Sequence, residues 1–560
     1  MTEFTPTPSP LFRVGAATVR LALWLLVAAW IVLAIVWGGL HFLIVPRIAE
    51  LRPMLEQRAS AALGITVRIG AIAATSNGLI PSFELNDVVL VDAQGREALR
   101  LPSVSASLSP RSVLGLGFEQ LTIDRPVLDV RRSLDGRIWV AGFSLSDGAE
   151  KDGSGANWVF SQAELVIRRG VVNWTDEQRD VPMLTLTDVN WVLRNQHRTH
   201  SMRVDANPPA DWGSRLSVSG IFRHPLLSRN VGLWREWQGQ LYANFAQVDL
   251  AQLRRYADLP VDVAQGSGAM RAWVDVTRGA LTGATADLAL NGVNVKVDPK
   301  LEALTLQQVA GRLGVRVVEG GMEYSTLGLQ FDTGDGLHWP GGNVRVSLFD
   351  GDRRIPARGE LVADRLDLAA MAQIANRLPL GEAVHTALTE LAPKGLVEQV
   401  QASWQGPPEQ PTQFAVKGRA TQLELAAQTD GAGARPGFKG ADIDFDVNQS
   451  GGKAMVAVQG GSIDFPGVFD DPVIAVDQLA GEVQWKRDAA QISVTVPSLR
   501  FSNADAQGEL QVRQTGNFFS SANQVNELDA VGNTFKPAMI LRSVLLPEPL
   551  PPRTPILAPG

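Results

Sequence analysis

From Val67 to Val512 the chain alternates apolar and polar residues with a period of two. In the run Ala441–Asn448, Ile443, Phe445 and Val447 fall on one side of an extended backbone, and Asp442, Asp444 and Asp446 on the other. Successive side chains of a strand point to opposite faces, so such a segment is apolar on one face and wetted on the other. The pattern recurs at Leu165 and Ile167, at Leu313, Val315 and Val317, at Val344, Val346 and Leu348, and at Ile492, Val494 and Val496. Turn signals stand between such runs, among them Asp135-Gly136, Asn291-Gly292, Asp350-Gly351 and Gly451-Gly452. In Leu184–Leu193 the phase slips, and one extra residue near Thr187-Asp188 would restore a single apolar face, as a β-bulge does. The body of the chain therefore reads as mainly β.

Helical signals are few. Val248–Pro260 and Leu366–Pro379 resemble each other: each begins as a strand end, places an Asp at a helix N-cap and stops at Pro. The second continues into a helical stretch over Glu382–Leu391, ended by Pro393 and Gly395. Two such copies suggest repeated units of several strands plus a short helix. Nearer the N-terminus, Ile48, Leu51, Leu55, Ala59, Ala62 and Leu63 recur at three- and four-residue spacing, which predicts an amphipathic helix ended by Gly64.

Leu21–Val45 carries no formally charged side chain and is bracketed by Arg20 and Arg47. About 25 helical residues at ~1.5 Å each reach ~37 Å, more than the ~30 Å of a bilayer's hydrocarbon core. A retained transmembrane helix is expected there. Arg13 and Arg20 precede it while Arg47, Arg52 and Arg58 follow, so charge alone does not set its orientation. The expected organisation is a tail over 1–20, the span over 21–45, the amphipathic helix over 46–64 and the β body over 65–512. The remaining 513–560 is irregular and Pro-rich, read as a disordered end or a truncated or shifted frame.

Composition removes most chemistry. A net charge of −7 without a strongly basic strip disfavours nucleic acid, and the absence of Cys removes disulfides, thiolate metal sites and Cys nucleophiles. His197 and His200 lie three apart with no third ligand near them in sequence. Asp442, Asp444 and Asp446 alternate so regularly with apolar residues that a solvated outer face accounts for them. No Gly-x-Ser-x-Gly elbow or phosphate-binding loop is present, and Gly431–Gly437 fails the dinucleotide spacing. The expectation is a protein that is not an enzyme, with no catalytic residue, metal or cofactor. Strand-associated tryptophans such as Trp404 and Trp485 read as large fillers, as lipid-contacting rings or as a sugar platform.

Twenty or so strands, each aiming two or three aliphatic side chains one way, leave roughly fifty groups to shelter at ~1.5–3 kcal/mol each. A second sheet could cover them, an outer-membrane barrel could close on them, or a trough could be filled by acyl chains. The upstream span argues against a barrel, and long meanders with few helices favour the trough. The expected fold is thus one N-terminal transmembrane helix, then an elongated, curved antiparallel sheet forming an apolar groove, with a few short helices. The groove lining would include Leu165, Ile167, Leu313, Val315, Val317, Val344, Val346, Leu348, Ile443, Phe445, Val447, Ile492, Val494 and Val496.

Several blocks carry a family likeness. Leu63–Val67, Pro81–Leu90, Asp124–Val130 and Asp135–Gly142 follow the anchor in order, with Gly170–Trp174, Asn207–Gly213 and Val248–Leu250 further on. In this order they resemble the YhdP branch of the AsmA-like, bridge-like lipid transfer proteins of Gram-negative bacteria, over roughly residues 12–512. The resemblance implies a single-pass inner-membrane protein with its bulk in the periplasm, carrying phospholipid toward the outer membrane. Its partners would be acyl chains, the inner membrane, and outer-membrane or periplasmic proteins. It implies no catalytic residues. Family members run far longer, so this chain would correspond to the inner-membrane-proximal part. The alternative function is a structural scaffold that binds envelope proteins.

Overall fold

The computed structural model describes residues 10–39, 52–63, 66–75, 82–91, 97–107, 118–140, 143–144, 154–228, 231–257, 261–351, 356–408, 411–428, 436–466, 471–488, 491–517 and 527–531, with isolated positions between 42 and 95. It forms two compact units, one mainly within residues 1–248 and one mainly within 283–560.

The first unit opens with helix α1 (Pro10–Gly38), which overlaps the expected span. Its apolar side chains stand in the open, Trp24 at 66% and Trp30 at 65% exposure. Among the described residues no helix is long and apolar enough to cross a membrane. Helix α2 (Arg52–Leu63) follows, shorter than the periodicity predicts, with Leu55, Ala59 and Leu63 turned to the core; Ile48 and Leu51 lie outside the described residues.

Strands β1 (Thr66–Thr75), β2 (Ser82–Val91) and β3 (Glu97–Ser107) pair antiparallel in order, and β3 pairs with β4 (Gln120–Asp124). Then β5 (Val127–Arg132), β6 (Ile138–Val140) and β7 (Phe143–Ser144) form a side meander, followed by helix α3 (Ser154–Ser161). Here the structure departs from an all-antiparallel meander. Both β4 and β5 run parallel to β8 (Glu164–Asp176). A parallel pair needs a crossover of a dozen or more residues, and the segment from β6 through α3 supplies one. Strands β9 (Leu184–Gln196), β10 (Thr199–Asn207), β11 (Leu216–Arg223) and β12 (Gln238–Asp249) complete the unit antiparallel. The predicted slip is present: Asp188 sits at φ +46° and the β9–β10 register shifts between Asp205 and Asn207. Helices α2 and α3 close the core of this unit over Val67, Leu90, Val104, Leu121, Leu165 and Leu193.

Helix α4 (Leu250–Tyr256) follows β12 directly, and strands β13 (Asp262–Thr277) and β14 (Ala280–Lys296) come next. In the second unit β15 (Leu304–Val318) pairs with β14 and with β16 (Gly321–Thr333), which carries the short β17 (His338–Trp339) beside β18 (Val344–Phe349). β19 (Arg358–Asp367) leads into helices α5 (Leu368–Gln373) and α6 (Glu382–Leu391), the latter with the bounds read from sequence. The two Asp caps form as expected: Asp249 accepts from Gln252 N at 3.1 Å and Asp367 from Ala370 N at 2.9 Å.

An unbroken antiparallel meander continues through β20 (Lys394–Gln405), β21 (Gln413–Leu425), β22 (Gly437–Asn448), β23 (Gly451–Asp464), β24 (Val473–Asp488), β25 (Gln491–Ser502), β26 (Gln507–Asn517) and β27 (Glu527–Val531). Pairing thus extends past Val512, where the alternation fades. Asn291-Gly292 does not turn the chain; it lies inside β14 with Gly292 at φ +59°. Gln449-Ser450 makes the hairpin turn that Gly451-Gly452 signals, and both glycines belong to β23.

Bulges recur, and side chains clamp them. Arg169 and Gln422, at φ +53° and +52°, donate their N–H groups to Asn190 Oδ1 (3.1 Å) and Asp442 Oδ1 (2.9 Å) on the next strand. Gly328, at φ +58°, donates likewise to Asn343 Oδ1 at 2.9 Å. A bulge leaves one residue outside the ladder, and these short side chains take up the amide it would orphan.

Candidate functional site

The candidate site is one face of the second unit, and the strand register builds it row by row. Val315 faces Ala284 on one side and Tyr324 on the other, Tyr324 faces Val346, and Val346 faces Leu361. Leu361 then meets Ala402, Ala402 meets Val416, and Val416 meets Val447. The row runs on through Gly452, Trp485 and Val494. Eleven facing positions from β14 to β25 thus hold no charged side chain.

Two residues along each strand lie parallel rows. On one side are Leu313, Val344, Phe445 and Val496; on the other are Val317, Leu348, Trp404 and Phe414. Ile443 continues the face beyond Phe445, and Ile492 does so beyond Val494. Twelve of the fourteen sequence-expected groove residues therefore share this face. Leu165 and Ile167 do not: they are 5% and 4% exposed within the first unit, Leu165 in the core that α2 and α3 close, so protein already surrounds them.

The face is incompletely covered. Val317 is 51% exposed, Tyr324 44% and Leu348 38%. Among the described residues β21–β26 make their close backbone contacts with their ladder neighbours, and at the β24–β26 end Val494 and Val496 are buried, 4% and 3% exposed, beside Val483, Trp485, Ile492 and Leu510. Helix α5 packs on β19 and β20 with α6 against it, and Ala370, Ile374, Ala375 and Leu388 are buried there. A monomer's largest exposed apolar patch is usually only ~300–600 Å², and one uncharged row across eleven strands with apolar residues flanking it exceeds the ordinary scatter of surface apolar groups.

The reverse face is ionic. Arg312 pairs with Asp287 at 2.5 Å and Arg316 with Glu323 at 2.9 Å. Asp446 stands between Lys417 and Lys453 in the register, and Asp444 faces Arg419 at 3.9 Å. The carboxylate row is thus divided between a solvated ladder, Asp444 and Asp446, and the bulge clamp Asp442. No group of three or more His, Cys, Asp or Glu that could hold a metal occurs among the described residues.

Two features escaped the sequence reading. Large side chains on the apolar face lie opposite glycines: Trp404 faces Gly359, Phe445 Gly418, Trp485 Gly452, Leu499 Gly481 and Phe501 Gly508. In the first unit, His200 is 1% exposed and joins His224, Nε2 to Nδ1 at 2.9 Å, while its Nδ1 meets Asn195 Oδ1 at 2.7 Å. The ring stacks on Trp237 at 4.1 Å between centroids, and burial, then His224, pushes its pKa down to about 4. His197, its neighbour in the sequence motif, instead turns the β9–β10 hairpin at φ +51°. A period-two reading could place His200 on a strand, but only the β10–β11 register brings His224 to it.

No curated protein and no solved structure matches the chain significantly. The sequence model of the family described as YhdP protein matches residues 1–533, and so covers both the first unit and the apolar-faced sheet. The chain belongs to the YhdP family.

Proposed function

We propose that the second unit carries phospholipid, with acyl chains lying along its apolar face and headgroups kept at the wet rim. The observation that supports this most is the uncharged row from Ala284 to Val494, continuous through the register and left open around Val317, Tyr324 and Leu348. Leu313, Val315, Val317, Val344, Val346, Leu348, Phe445 and Val447 would contact the chains, with Ile443, Ile492 and the buried Val494 and Val496 beside them. Hydrocarbon in contact with such a face loses water on both sides, at about 25 cal/mol per Å² of apolar surface removed. Acyl chains need no directional contacts, so movement along the row is diffusion over near-equivalent positions and involves no bond making or breaking.

In this reading the exposed apolar helix α1 lies in the inner membrane, and the strands stand in the periplasm. Lipid then enters from the bilayer that holds the helix. A photocrosslinking residue at Val346 should capture phospholipid in cells, and one at Asp444, on the ionic face, should not. Equal capture at the two positions would defeat the proposal. Native mass spectrometry of the detergent-purified chain separates the conduit from a scaffold: bound phospholipid favours the first, a bound polypeptide the second.

A further inference from the structure

We propose that Gly359 and Gly452 are positioning residues of the lipid track, and that Trp404 and Trp485, laid over them, are plates on which acyl chains rest. This rests on the conduit reading above. Glycine inside a strand weakens it, because it has no side chain to pack and loses the most freedom on folding. Its recurrence opposite a large side chain in five ladders therefore calls for a local reason.

The geometry supplies one. A β-carbon on Gly452 would fall 2.6 Å from Trp485 Cζ2, and one on Gly508 2.8 Å from Phe501 Cε1. On Gly359 it would collide with Cζ2 of Trp404, whose Cη2 would be 2.8 Å away. The rings thus occupy the level at which the facing strand would carry its first side-chain carbon. An indole leaning over a bare neighbour adds apolar area without rising above the valines around it. Were the facing residue larger, the ring would have to swing upright, into the space an acyl chain occupies. The glycines keep the tallest side chains of the face low, and the track level across β19–β20 and β23–β24.

The test uses the full chain in cells with a photocrosslinking residue at Leu348, in the row of Gly359 and Trp404. Capture of phospholipid should be lost in Gly359→Ala and regained when Trp404→Ala is added, since no ring then remains to be lifted. A loss through general weakening of the sheet would not be regained by removing a second large side chain. Capture unchanged in Gly359→Ala, or lost and not regained in the double variant, overturns the proposal.

If Gly359→Ala does not accumulate, phospholipid brominated on its acyl chains is added to the purified chain and tryptophan emission is read. Trp404→Phe and Trp485→Phe should each remove part of the quenched emission, and an unchanged quenched share in both overturns the plates. A wild-type chain that shows neither capture at Leu348 nor quenching defeats the conduit itself.

Discussion

Asp442, Asp444 and Asp446 have the same side chain at successive positions on one face of β22, yet they do different things. Asp442 accepts the Gln422 amide in a bulge, whereas Asp444 and Asp446 stand among exposed charges. Asp442→Ala should therefore cost about 1 kcal/mol or more of stability by orphaning that amide, while Asp444→Ala stays within ~0.5 kcal/mol. Denaturant melts of the two variants check this, and equal midpoints would contradict it. His200 gives the pH counterpart. Burial favours its neutral ring, so its pKa is about 4 when folded against 6.5 when free. The unfolded chain takes up the proton first as pH falls, so stability declines from about pH 6.5 and the full loss is reached below about pH 4. The loss approaches roughly 3 kcal/mol. Melting at pH 7 and pH 5 should show the decline in the native chain and a smaller one in His200→Gln. Alternation located the faces on which these residues sit. It could not tell the three aspartates apart, because the clamp depends on which residue of the neighbouring strand takes the positive φ.

Elements were legible wherever the cause was local. The Asp caps, the helix over Glu382–Leu391 and the bulge at Asp188 follow from a few adjacent residues. The parallel pairing of β4 and β5 with β8 was not, because it joins residues 44 apart such as Leu121 and Leu165. Glycine was ambiguous for a different reason: Gly452 marks a nearby turn in sequence, but in the sheet it makes room for Trp485. Helix α2 shows what a short element can do beyond covering a core. Glu56 Oε1 accepts from Ile69 N at 2.7 Å, and Ser60 Oγ accepts from Val67 N at 2.8 Å. Arg52 Nη1 donates to Gly70 O at 2.9 Å. Among the described residues β1 pairs with β2 alone, so these side chains stand in for a missing strand. Glu56→Ala should speed amide exchange at Ile69 by the loss of about 1 kcal/mol of protection, and leave exchange in β22 unchanged. Exchange at Ile69 as slow as in the native chain would show that the helix backbone, not the carboxylate, protects the strand.

The two units solve the same packing problem differently. In the first, helices and side chains fill the apolar side, down to Leu193 at 0% exposure. In the second, the apolar face is left half open around Val317, Tyr324 and Leu348, while Val494 at its far end is 4% exposed. Val346→Glu should accordingly leave the melting temperature within a few degrees while lowering phospholipid capture at Val315 and Val447, in the same row to either side. Large destabilisation would instead mean that Val346 is buried against protein. Delipidated protein should bind a hydrophobic dye more strongly than protein with phospholipid restored, and equal dye binding would place the lipid elsewhere.

The clasp of α2 on β1 has a consequence for a chain so rich in strand. A bare edge is a template, since any extended segment with free amides can add to it and extend the ladder without limit. Glu56, Ser60 and Arg52 answer that edge with groups that no incoming backbone can pair with in register. Strand addition is therefore opposed along the Val67–Gly70 half of β1, and a variant lacking the clasp should seed fibrils from that side first.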